Sequence, residues 1–193
     1  MTRIIAGTAG GRRIVVPARG TRPTSDRVRE SVFSSLGSER EWSGIRVLDL
    51  FAGSGALGLE SLSRGAGTAV FVDSDSAAAD ICRRNVSALD FLASSAEVVR
   101  ADVSAWLERG PGSRPPFDLV FADPPYAVDD NVVGAVLDAL VDQMWLAEGA
   151  RVIVERSAGG NHLKWPAGWQ RIDERAFGGT VIYRAVWYGP SVT

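Results

Sequence analysis

Ile45-Arg-Val-Leu-Asp49-Leu-Phe51-Ala-Gly53-Ser54-Gly55-Ala-Leu-Gly58 reads as a buried strand, an acid at its end, a glycine-rich turn and the start of a helix running to about Arg64. Glycines at such a turn let the backbone approach a ligand closely, while the helix N-terminus offers unpaired N–H donors. The same alternation continues downstream. Strands are expected at Thr68–Asp73, Ala96–Asp102, Phe117–Ala122 and Ala150–Glu155. Helices are expected at Ser76–Leu89, from Asp102 to Arg109, and at Asn131–Met144. Strands alternating with helices at this spacing imply a parallel sheet covered on both faces, an α/β class. The ending departs from that rhythm. Trp169–Phe177 and Thr180–Tyr188 each alternate like strands around Gly178-Gly179. Too little chain separates them for a crossover helix, so they must pair antiparallel.

Upstream, residues 3–7 and 12–17 read as a hairpin ended by Pro17, followed by a loop over 18–25. A helix capped by Ser25 or Asp26 follows, with Val28, Val32, Phe33 and Leu36 on one face. The division expected is a basic arm over 1–23 and one domain over 24–193. The chain has 193 residues, enough to bury roughly 70% of its unfolded surface without a staple. It holds one cysteine, Cys82, so a reducing, cytoplasmic setting is expected. No apolar run approaches a membrane span, and nothing behind Arg3 reads as a signal peptide.

Net charge is −2, but its distribution is uneven. Residues 1–23 carry Arg3, Arg12, Arg13, Arg19 and Arg22 and no acid, while the chain beyond residue 30 has 14 basic and 21 acidic residues. A basic arm on an acidic body is the asymmetry of a chain that touches phosphate at one end. With no acidic neighbour before Asp26, the five arginines are expected to be free to meet phosphates. Deleting the arm is then expected to spare cofactor binding.

Asp49, Asp73 and Asp102 stand at three consecutive strand ends, along the ligand edge of such a sheet. Asp73, 20 residues after Gly53, sits where an acid accepts from ribose hydroxyls. Gly53-x-Gly55-x-x-Gly58 alone also fits a dinucleotide fold. Asp49 separates the two, because a carboxylate there repels a pyrophosphate. It can instead help hold the ammonium of S-adenosylmethionine, and Asp102 is placed for an adenine amino group.

Asp123-Pro124-Pro125-Tyr126 follows the fourth strand. Two prolines remove two donors and stiffen the turn, fixing an acid, carbonyls and a ring beside one another. The arrangement suits an exocyclic –NH₂ group: Asp123 and the Pro124 carbonyl accept its hydrogens while Tyr126 stacks on the base. Stacking alone would let Tyr126→Phe stay active. His162 has no second His and no Cys cluster near it, so no metal site is expected. Trp165, Trp169 and Trp187 read as core.

The Asp49–Gly55 segment, Asp73, Asp102 and the Asp-Pro-Pro-Tyr tetrapeptide resemble class I S-adenosylmethionine-dependent methyltransferases that act on amino groups. Arg3-Ile-Ile-Ala-Gly, Gly11-Arg-Arg and Arg22-Pro-Thr-Ser-Asp-Arg-Val-Arg-Glu-Ser-Val-Phe narrow the resemblance to the RsmD family, over nearly the whole chain. Many members have Gly-Gly where this chain has Ala6-Gly7. The resemblance implies a Rossmann-like, seven-stranded sheet ordered 3-2-1-4-5-7-6 with strand 7 antiparallel. It implies a monomeric enzyme methylating N2 of a guanine in 16S ribosomal RNA, free or within a partly assembled small subunit. Phe51, Gly53, Ser54 and Gly55 would then bind cofactor, with Thr24 and Arg27 closing over it. Two alternatives stay open: an N6-adenine DNA methyltransferase, which would usually carry a larger target-recognition region, and a nucleotide-binding module without catalysis.

Overall fold

The computed structural model describes residues 2–16, 26–37 and 42–189. Its centre is a seven-stranded sheet built from β3 (Arg46–Leu50), β4 (Thr68–Asp73), β5 (Ala96–Arg100), β6 (Phe117–Ala122), β7 (Leu146–Ser157), β8 (Trp169–Phe177) and β9 (Thr180–Trp187). The spatial order is β5-β4-β3-β6-β7-β9-β8. Strands β3 to β7 pair in parallel, and β9 runs antiparallel to both β7 and β8. Counted within the sheet, this is the order 3-2-1-4-5-7-6. The chain order reverses at the β3/β6 pair, and ligands of open α/β sheets bind at such a switch point, beyond the strands' carboxyl ends.

Period-two alternation sends neighbouring strand residues into two cores. Leu48, Val120 and Val152 pack with α4 (Val103–Leu107) and α5 (Asp130–Asp142). Val47, Phe121 and Ile153 pack on the other face with α1 (Asp26–Gly37), α2 (Ala56–Ser63) and α3 (Ser76–Ala88). Val28, Val32, Phe33 and Leu36 of α1 are all buried there, as their spacing predicts. Trp165, Trp169 and Trp187 pack partly buried against the first core.

β7 begins at Leu146 rather than Ala150, with a register shift against β6. The fully buried Trp145 anchors that start: its indole N–H donates to the Leu107 carbonyl (2.9 Å). β5 stops at Arg100, two residues before Asp102, because Asp102 leaves the sheet to cap α4.

The N-terminal hairpin forms, but its strands shrink to β1 (Thr2–Arg3) and β2 (Arg13–Ile14). The backbone N–H groups of Ile5 and Ala6 donate to the two carboxylate oxygens of Glu60 on α2 (2.7 and 3.1 Å), so they cannot extend a ladder. Thr8 and Ala9 donate to the Ser63 carbonyl and hydroxyl (2.7 and 2.9 Å). Ile4, Ala9 and Ile14 bury in the same core as Phe33 and Leu59. Gly7 is obligatory at this seam. Its φ is +84°, and a Cβ there would lie 1.8 Å from the Ser63 carbonyl oxygen. The described part of the arm is therefore docked on the body. The expectation that its deletion spares cofactor binding left this docking out of account: its loss would uncover core residues and strip the buried Glu60 carboxylate of two donors.

Candidate active site

The turn after β3 is held open by its own backbone. Phe51 adopts φ 58°, a left-handed conformation that costs a bulky residue energy and persists where the surroundings impose it. Gly55, at φ 80°, caps α2 without a side-chain acceptor. A Cβ on Gly58 would lie 2.4 Å from the Phe71 ring, so a side chain there would push α2 off the sheet. Gly53 is different: a Cβ there would meet nothing within 4 Å, so this glycine faces open space.

The carboxylates behind the turn do unequal work. Asp73 is half-buried and accepts from the Gly53 N–H (2.7 Å) through one oxygen and from the Asp75 N–H (2.8 Å) through the other. A carboxylate has about four acceptor positions, which leaves room for two ribose hydroxyls. Asp49 is 2% exposed and accepts from the Gly58 N–H (2.9 Å). Burial pushes its carboxyl well above the usual range, and the nearby Asp123 and Asp73 push it further, against the opposing pull of the Gly58 bond. It ties the turn to α2, and little of its surface faces solvent. Asp102 is exposed and spends Oδ1 on the Ala105 N–H (2.9 Å) as the α4 cap, so only part of it can serve an adenine. The buried Cys82 thiol, beside the same carboxylates, is pushed upward by burial and is not a nucleophile.

The second cluster lies beyond β6, the other strand of the switch point. The Asp123 N–H reaches the Leu50 carbonyl (3.4 Å), which sets the tetrapeptide beside the β3 turn. Pro124 is buried and Pro125 exposed. Asp123 lines a small cleft with Val32, Leu57, Phe121, Glu155 and Ile182. Tyr126 is 44% exposed, as a stacking ring must be. Its hydroxyl shares a hydrogen bond with Thr180 Oγ1 (2.8 Å), which in turn donates to Glu155 Oε1 (3.3 Å). The ring is thus tethered as well as exposed, a contact that a reading by stacking alone leaves out. Neither Thr180 nor Glu155 stood out in the sequence. The signal available was Glu155 itself, an acid at the carboxyl end of an otherwise apolar parallel strand.

Of the arm arginines, Arg3 and Arg13 are exposed. Arg12 is not free: it pairs with Asp90 (2.9 Å) and donates to the Ala88 carbonyl. The expectation overlooked Asp90 because it lies 78 residues away in sequence. Arg27 is exposed on α1. Arg19, Arg22 and Thr24 lie outside the described residues. Among the described residues no group of three or more His, Cys, Asp or Glu could hold a metal ion.

This geometry has known counterparts. The family model described as Conserved hypothetical protein 95 matches residues 2–186. Several relatives carry the name Ribosomal RNA small subunit methyltransferase D. The one from Haemophilus influenzae is 36% identical over 94% of this chain and 91% of its own length. The one from Escherichia coli K12 is 37% identical over 94% and 87%. The chain belongs to the RsmD family. The solved structure of yhhF from Escherichia coli superposes with a TM-score of 0.84 at 33% identity, covering 97% of this chain and 98% of that one.

RsmD-family membership brings S-adenosylmethionine as the cofactor, and the residues present fit it. Asp73 keeps acceptor capacity for a ribose, and Gly53 leaves the turn uncovered. Burial raises the Asp49 carboxyl, and Asp123 and Asp73 lie close enough to add to that rise.

Proposed function

We propose that this chain transfers a methyl group from S-adenosylmethionine to the exocyclic N2 of a guanine in small-subunit ribosomal RNA. The observation that carries the reading is the Asp123–Tyr126 tetrapeptide beside the carboxylate-lined glycine turn, in a chain whose relatives are named for methylation of that RNA. The cofactor, when bound, supplies an electrophilic methyl on a sulfonium and leaves as a neutral thioether. Asp123 and the Pro124 carbonyl accept the two amino hydrogens and turn the nitrogen lone pair toward the methyl. Asp123 also offsets the positive charge that grows on nitrogen as the bond forms, the kind of preorganised contact that lowers a barrier. Tyr126 supplies the stacking face. The guanine must leave its helix to reach them. Asp49, Phe51, Gly53, Ser54, Gly55, Asp73 and Asp102 form the cofactor side, and Thr24 and Arg27 help close over the cofactor. Arg3, Arg12, Arg13, Arg19 and Arg22 meet phosphates. The enzyme acts as a cytoplasmic monomer.

The test is the identity of the product. The protein is incubated with labelled S-adenosylmethionine and either free 16S RNA or small subunits lacking the modification, and the RNA is digested to nucleosides. N2-methylguanosine is expected. Label in N6-methyladenosine, or none in either substrate, overturns the reading.

A further inference from the structure

The C-terminal hairpin sets this sheet apart from an all-parallel one, and its residues converge on the loop after β6. Thr180 opens β9 and Glu155 lies on the neighbouring β7; both are 7% exposed. Arg156, next to Glu155, donates from one nitrogen to the Val128 carbonyl (2.8 Å) and to Asp130 Oδ1 (2.7 Å). Asn161 adds a bond to Asp130 Oδ2 (3.1 Å). Val128 N–H closes the loop onto the Pro125 carbonyl (2.8 Å). Within this pinned loop the exposed Tyr126 ring has one named tether, the hydroxyl of Thr180.

The polarity of that tether follows from proton counting. Thr180 has one O–H proton and directs it at the Glu155 carboxylate. Thr180 therefore accepts at its other side, and the Tyr126 O–H must donate to it. A half-exposed aromatic side chain would otherwise sample several rotamers and lose that freedom when a base stacks on it. A ring held beforehand avoids the cost at the moment of binding.

We propose that Thr180, oriented by Glu155, is a positioning residue that fixes the Tyr126 ring for the target base. The inference rests on the reading of Tyr126 as the stacking ring. RNA affinity comes mainly from phosphate contacts, so the effect falls on the step after RNA has bound.

The test compares Thr180→Val, Thr180→Ser, Tyr126→Phe and the double variant Thr180→Val/Tyr126→Phe with the wild type. Single-turnover methylation, RNA affinity, affinity for S-adenosylhomocysteine and thermal midpoint are measured for each. Thr180→Val and Tyr126→Phe are each expected to slow methylation roughly tenfold with both affinities unchanged, the signature of an interaction used only after binding. Thr180→Ser should restore the rate. The double variant should be no slower than either single, because both break the same bond. Tyr126→Phe alters an exposed position, so it reports even if Thr180→Val fails to fold. A wild-type rate in Tyr126→Phe, or losses that multiply in the double variant, overturns the proposal. Failure of the wild type to produce N2-methylguanosine would instead strike the underlying functional reading.

Discussion

Asn85 closes a two-way hydrogen-bonded clamp on the backbone of Val15, accepting from its N–H (2.9 Å) and donating to its carbonyl (2.8 Å). The same amide nitrogen donates to the Ser54 carbonyl in the glycine turn (2.9 Å). One buried α3 side chain thus joins the end of the arm to the cofactor loop. Asn85→Ala leaves these groups without their partner, which costs about 1–3 kcal/mol for buried polar groups. The expected outcome is a lower midpoint in urea together with weaker S-adenosylhomocysteine binding, read by denaturation and calorimetry. A stable variant with normal affinity would mean that arm and loop are independent.

Asp73 bonds the Gly53 and Asp75 N–H groups and keeps further acceptor positions, which the proposed function assigns to a ribose. Asp73→Ala is expected to weaken cofactor binding by about 1–3 kcal/mol, the cost of polar groups left unpaired. Asp73→Asn, which keeps one carbonyl acceptor, should lose less. Calorimetry with S-adenosylhomocysteine decides it; equal affinity for wild type and Asp73→Ala removes the ribose assignment.

Replacing Asp123 tests binding apart from chemistry. If it stabilises charge that appears only as the methyl moves, its removal lowers turnover and leaves cofactor affinity intact. Asp123→Ala should be slower by roughly 10²-fold or more, the scale seen for one preorganised contact. A variant that turns over normally, or one that only loses cofactor, would give Asp123 another role.

The legible and illegible parts of this molecule differ in sequence range. The strands and helices from Ile45 to Glu155 could be read, apart from the start of β7 at Leu146, because each depends on a local run of apolar residues and a local glycine or cap. The two clusters of the site could be read because topology places the ends of β3, β4, β5 and β6 together. What stayed hidden was long-range polar pairing. Glu60 looks like a solvated helix charge until Ile5 and Ala6, more than 50 residues away, donate to it. Arg12 looks free until it meets Asp90, and Tyr126 looks untethered until Thr180 arrives 54 residues later. Asp102 reads as the last residue of its strand, but β5 stops at Arg100, because the use of Asp102 as a helix cap depends on a change of chain direction that β-propensity does not record.

Asp49 gives the fold a pH dependence with a definite sign. Burial raises its folded carboxyl pKa above the unfolded value of about 3.9. Its contribution is therefore fully present below that unfolded value. It is lost as pH rises through the folded pKa, because the unfolded chain releases the proton more readily. Asp49→Asn retains an acceptor for the Gly58 N–H without a charge to desolvate. Urea denaturation from pH 4 to 8 should show a shallower loss of stability in the variant and a more stable variant at the upper end. Parallel curves would mean that the wild-type carboxylate ionises in the fold at no cost.

Arg12 and Arg13 are adjacent in sequence but are expected to differ in what they give to RNA. Each phosphate neutralised releases counterions and steepens the fall of affinity with salt. Arg12 already faces Asp90 and the Ala88 carbonyl, so part of its charge is compensated before RNA arrives. Arg13 is exposed, and its strand residue pairs with Arg3 in a hairpin already docked on the body. No ordering of the described hairpin is then needed at the moment of binding. Arg13→Ala should reduce the slope of log affinity against log salt by about 1, with little change in which sequence is preferred. Arg12→Ala should reduce it by less, since the Arg12 charge is already partly compensated by Asp90. Binding of a 16S fragment at four or more salt concentrations distinguishes them. Equal slopes for Arg13→Ala and wild type would remove the hairpin from the RNA-facing surface, and a larger effect from Arg12 than from Arg13 would mean that its pairing with Asp90 breaks when RNA binds.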